Sequence, residues 1–89
     1  MKEYQVGKYT VKEHENGHKY WYVGKELHRE DGPAVEYGNG NRYWYQHGVY
    51  HRVDGPAIRY KNGFQAWYLE GKEYSKEQFD AEIKRRDAA

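Results

Sequence analysis

The stretch Tyr43–Tyr60, YWYQHGVYHRVDGPAIRY, decides the architecture, because the chain writes most of it once before and part of it once after. Trp21, Trp44 and Trp67 fall 23 residues apart, and so do Asn16-Gly17, Asn39-Gly40 and Asn62-Gly63. The segment His51-Arg52-Val53-Asp54-Gly55-Pro56 repeats His28-Arg29-Glu30-Asp31-Gly32-Pro33 at the same spacing. Such a period marks an array of small units that stack to bury their apolar faces.

Asn-Gly is the dipeptide that best supplies the two positive φ values of a type I′ hairpin turn. A two-residue loop there sets Val35 opposite Trp44, Ala34 opposite Tyr45, Ile58 opposite Trp67 and Ala57 opposite Tyr68. Side chains alternate across a strand, so this register sorts the residues into two faces. One carries Trp21, Val23, Val35, Tyr37, Trp44, Ile58, Tyr60, Trp67 and Leu69, and is the expected core. The other carries Tyr20, Tyr22, Ala34, Tyr43, Tyr45, Ala57 and Tyr68 with Glu13, Glu36 and Arg59, and is the expected contact surface. Gly24, Gly48 and Gly71 are spaced 24 and 23, so the glycine of the following turn slips by one residue. Asp-Gly-Pro should interrupt the ladder and re-aim the chain, since proline lacks a donor and restricts the residue before it.

The ends depart from the repeat. Residues 1–15 read as a degenerate first unit, a strand bent at Gly7, with Val11 in the place of Ala34 and Ala57. Units of the repeat cover 16–74. Ser75 with Gln78 three residues on forms a capping box, and Lys76–Asp87 reads as a helix whose Phe79 and Ile83 cap the array. The expected fold is a single mainly β domain over 1–89: an antiparallel meander of three to four stacked hairpins with a C-terminal capping α-helix.

Eleven Tyr and three Trp give this short chain large apolar bodies with polar tips, which excludes a disordered composition. Fifteen Lys and Arg against fourteen Asp and Glu lack the basic excess of a phosphate-neutralising protein. The absence of Cys excludes disulfides, thiolate catalysis and cysteine metal sites. No apolar leader and no run near the roughly 18 residues of a membrane span are present, so no membrane association and a cytoplasmic location are expected.

Two turns could carry chemistry. His28, Arg29 and Asp31, and likewise His51, Arg52 and Asp54, could serve as base, clamp and orienter. The competing reading is structural: aspartate accepting backbone N–H groups, arginine pairing with it and histidine stacking, with Gly32-Pro33 and Gly55-Pro56 shaping the turn. Recurrence with the repeat favours the second. Stacking and capping are the expected roles of the five histidines, so neither a metal nor a cofactor is expected, and Thr10 and Ser75 are the only hydroxyls outside tyrosine. Catalysis is not expected.

The order aromatic-Trp-x-x-x-Gly-x-x-His at Tyr43, Trp44, Gly48 and His51 resembles the membrane occupation and recognition nexus repeats, called MORN repeats. It is similar above all to the MORN-like HRxDGPA repeats of small phage and bacterial proteins, over about Asn16–Tyr74. The pair of glycines that MORN units carry after histidine is replaced here by Arg29-Glu30-Asp31 and Arg52-Val53-Asp54. The resemblance implies edgewise hairpins in one curved sheet and roles in protein contact. It also implies a phage origin, and the specific expectation is then a phage-encoded, non-catalytic inhibitor of a host protein, such as a defence component, acting in the host cytoplasm.

The binding residues expected are Tyr20, Tyr22, Tyr43, Tyr45 and Tyr68 with Glu36 and Arg59. A single-stranded nucleic acid stacked on the tyrosines is the alternative, with Arg42, Arg59 and Lys61 near them. Unpaired sheet edges also suggest a homodimer.

Overall fold

A computed structural model of the protein describes residues 1–88 as eleven strands and one helix. The strands are β1 (Lys2–Val6), β2 (Tyr9–Glu13), β3 (Lys19–Val23), β4 (Glu26–Leu27), β5 (Val35–Glu36), β6 (Arg42–Tyr43), β7 (Tyr45–Gln46), β8 (Val49–Tyr50), β9 (Ile58–Arg59), β10 (Gln65–Leu69) and β11 (Lys72–Tyr74), followed by α1 (Lys76–Asp87). All pairings are antiparallel, in the order β1-β2-β3-β5-β6-β9-β10-β11, with β4 also on β3 and β7 paired to β8. The expected meander with its terminal helix is therefore the fold. Its extents of 42 × 30 × 16 Å are those of one sheet with side chains on both sides.

Each HRxDGP segment is an excursion from a strand partner. β4 leaves the edge of β3 after Leu27, and the chain returns to the same edge as β5, bridged by Trp21 N–H to Ala34 O at 2.7 Å and His28 N–H to Trp21 O at 3.0 Å. Unit two repeats both bonds, Trp44 N–H to Ala57 O at 2.7 Å and His51 N–H to Trp44 O at 3.0 Å. Unit three has no excursion, and α1 occupies that side instead, with Phe79 buried.

Gly7 is a hairpin turn rather than a bend. Val6 pairs with Tyr9 across Gly7-Lys8, and Gly7 takes φ +57°, so the first unit already has two strands. The glycine that slips along the repeat does so without moving the turn. Val23 pairs with Glu26, Gln46 with Val49 and Leu69 with Lys72, a loop of two residues each time at constant period. Only the conformation within it changes: Gly24 supplies the first loop position, whereas His47-Gly48 and Glu70-Gly71 are positive in φ at both, as type I′ requires.

The Asn-Gly turns differ from expectation, and the difference reassigns both faces. Tyr37 N–H bonds Asn41 O and Gly40 N–H bonds Tyr37 O, a three-residue loop in which Gly40 alone has positive φ. His14–His18 and Tyr60–Phe64 close the other two loops in the same way. This is a type I turn completed by a glycine bulge, and it shifts the register by one. Val35 faces Tyr43, not Trp44, and Ile58 faces Ala66, not Trp67. A one-residue slip moves a whole strand's side chains to the opposite face. Val35, Tyr37, Ile58 and Tyr60 thus join the tyrosines, while Ala34, Ala57, Glu13, Glu36 and Arg59 join the tryptophans.

The helix is as expected. Ser75 accepts from Gln78 N–H and the Gln78 side chain accepts from Ser75 N–H, both at 3.1 Å. Arg86 at the far end pairs with Glu70 at 2.9 Å, tying α1 to the β10–β11 turn.

Candidate functional site: a tyrosine face backed by tryptophan–arginine locks

Residues opposed by Cα pairing share a face. One row runs Tyr20, Val35, Tyr43, Ile58, Ala66, and the neighbouring row, on the other side, runs Lys19, Glu36, Arg42, Arg59, Gln65. The first row is joined by a continuous aromatic network. Tyr43 lies 5.2 Å from Tyr37, 6.0 Å from Tyr60 and 6.3 Å from Tyr50, and Tyr50 lies 4.6 Å from Tyr45 and 5.0 Å from Tyr68. Tyr20, Leu27, Val35, Tyr37, Tyr43, Tyr45, Tyr50 and Tyr60 together line a cleft of about 310 Å³. Every one of these tyrosines is half-buried.

Of the expected binding residues, Tyr20, Tyr43, Tyr45 and Tyr68 are brought together, and Tyr22 continues the face along β3 beneath the Lys12 amine at 5.1 Å. Tyr45 also touches the core cluster of Tyr9, Val11, Trp21 and Ala34. Glu36 and Arg59 are on the opposite face, where Glu36 accepts from Trp21 Nε1 at 3.1 Å. Tyr37 and Tyr60, assigned to the core by the two-residue register, and Tyr50, which sequence reasoning missed, belong to the site. The constant two-residue turn at His47-Gly48 is the signal that places Tyr50 opposite Tyr45.

Burial sets the chemistry of the phenols. It pushes the Tyr43 hydroxyl up to about 12, helped by the neighbouring Tyr60 hydroxyl, and raises Tyr20, Tyr45 and Tyr68 as well. All four stay protonated near neutral pH and act as hydrogen-bonding tips on apolar bodies. A phenol raised in the folded state contributes stability that is complete below its unfolded value of 10.0 and is lost as pH rises through the folded value. The melting temperature should therefore fall between pH 10 and about 12, and phenolate absorbance should show Tyr43 titrating after Tyr residues of the unfolded chain. Coincident titration in the folded and unfolded chain would contradict this.

The other face is held by two copies of one lock. Arg29 Cζ lies 3.6 Å from the Trp21 ring centre, its Nε donates to Asp31 at 3.0 Å and its Nη1 to Pro33 O at 3.2 Å. Arg52 repeats this on Trp44 at 3.9 Å, with Asp54 at 2.9 Å and Pro56 O at 3.0 Å. Gly32 and Gly55 are favoured by contact rather than by φ, because a Cβ on either would sit 2.9 Å from the guanidinium carbon and oblige it to shift. The histidines fasten one unit to the next: His28 Nδ1 accepts His47 N–H at 2.9 Å, and His51 Nδ1 accepts Glu70 N–H at 3.0 Å. With Nδ1 accepting, Nε2 of His28 carries the proton and donates to Glu30 at 2.8 Å. Lys8 at 2.6 Å, and then His28, hold the Glu30 carboxyl down at about 2.

Among the described residues, no group of three or more His, Asp or Glu is placed to hold a metal ion, and no helix is long and apolar enough to cross a membrane. Comparison with family models, with curated proteins and with solved structures finds no match to this chain.

Proposed function

We propose that the chain is a non-catalytic protein-binding module that docks through its tyrosine face. The observation that carries the reading is the gathering of Tyr20, Tyr37, Tyr43, Tyr45, Tyr50 and Tyr60 around one cleft, with Tyr68 beside Tyr50. Tyrosine offers large, rigid, amphipathic contact area at low side-chain entropy cost, which is the chemistry of protein contact surfaces. The turn histidines, arginines and aspartates are engaged in the locks, and His28 has no ring nitrogen free to accept a proton, which supports a role without catalysis. The MORN-like resemblance gives the reading its specific form, a phage-encoded protein that occupies a host protein such as a defence component and inhibits it in the host cytoplasm.

The face suits a protein better than a single-stranded nucleic acid, because Arg42 and Arg59 lie on the opposite side from Tyr43. Base stacking needs a cationic groove along the backbone beside the aromatic platform. Two measurements test the proposal. A host protein captured by the chain should be lost with Tyr43→Ala and Tyr60→Ala and retained with Arg59→Ala; retention by all three variants would sink it. Titration with single-stranded DNA should give weak binding, and micromolar binding with a steep salt slope would replace the protein reading with the nucleic-acid one.

A further inference from the structure

The third tryptophan lacks the partner that the first two have. Trp21 and Trp44 are each covered by their own unit's arginine, held by an aspartate two residues on and a proline carbonyl four residues on. The 23-residue period puts Ser75, the N-cap of α1, where the third arginine would stand. No Lys or Arg among the described residues lies over the Trp67 ring.

Trp44 is among the residues lining a cleft of about 390 Å³ between the two HRxDGP turns, and Trp67 among those lining one of about 600 Å³ between the second turn and α1. We propose that the Trp67 cleft receives the guanidinium of an arginine presented by a partner polypeptide, which completes the third stack of the array. Pro56, Phe79 and Ile83 line it and suit the aliphatic stem of such a residue, and Asp54 and Asp80 bring carboxylates to it, Asp54 through the oxygen its Arg52 partner at 2.9 Å leaves open. Lys76 and Lys84 line it too; Lys76 is paired with Asp80 at 2.9 Å, whereas the Lys84 ammonium opposes an incoming cation. Arginine is selected over lysine because a planar, weakly hydrated guanidinium stacks on an indole and forks to carboxylates, and a compact, hydrated ammonium does neither as well. This site lies on the tryptophan face and stands independently of docking by the tyrosines.

The test is a titration of the full chain with the blocked tripeptide acetyl-Gly-Arg-Gly-amide, followed at the three indole N–H resonances. The Trp67 signal should move saturably while those of Trp21 and Trp44 stay, and the lysine tripeptide should bind at least roughly threefold more weakly. Lys84→Gln should tighten the arginine peptide, and Trp67→Leu should abolish its binding with the other two indole signals unmoved. Absence of a saturable shift at Trp67 overturns the proposal. So does equal binding of the lysine tripeptide, or of a norleucine tripeptide, since a charge effect or a greasy slot would then account for it.

Discussion

Replacing Trp21 by alanine should destabilise the protein by about 3–5 kcal/mol, the range for deleting a large aromatic from a core. Trp21 is only 8% exposed, meets Tyr9 edge-on at 5.5 Å, donates to Glu36 and carries the Arg29 guanidinium. Its loss leaves a cavity under a cation that keeps its aspartate but no ring. Small domains have total stabilities of about 5–15 kcal/mol, so the variant should be largely unfolded or melt more than about 10 °C lower. A fall of only a few degrees on thermal denaturation would show that the lock does not hold the unit together.

Gly55→Ala should lower stability by about 1–3 kcal/mol through overpacking rather than backbone strain. The added Cβ would meet Arg52 Cζ at 2.9 Å, Nη1 at 3.1 Å and Nε at 3.2 Å. To make room the guanidinium must shift on Trp44, which loosens its hold on the Pro56 carbonyl. This origin is separable, because in an Arg52→Ala background the same glycine replacement should cost little. Additive losses in the double variant, measured by denaturant unfolding, would mean that the glycine is needed for the turn itself.

Much of this was legible because the sequence repeats. A 23-residue period places equivalent residues in equivalent surroundings, so Asp31 and Asp54, or His28 and His51, are read as parts of a unit before any contact is known. The capping box at Ser75 and Gln78 was readable for a different reason: it is a local device, complete within four residues. The faces were not legible. A type I′ turn and a type I turn with a glycine bulge both put a glycine with positive φ after asparagine, yet they differ by one residue in loop length. Asn16, Asn39 and Asn62 each accept, through Oδ1, the backbone N–H two residues on, and only the glycine turns left-handed. That choice sends Tyr37 and Tyr60 to the tyrosines and Glu36 and Arg59 away from them. Gly32 and Gly55 were readable as turn formers, but their close approach to arginine depends on the cation folding back over tryptophan, which composition does not reveal.

The functional account depends on that register, since it is what assembles one aromatic face with the arginines behind it. Cross-strand nuclear Overhauser contacts in the full chain test it most directly. The account predicts Tyr43 opposite both Val35 and Ile58, with Tyr37 and Tyr60 among the neighbours of its ring. Contacts that place Trp44 opposite Val35, and Trp67 opposite Ile58, would divide the tyrosines between two faces and contradict it.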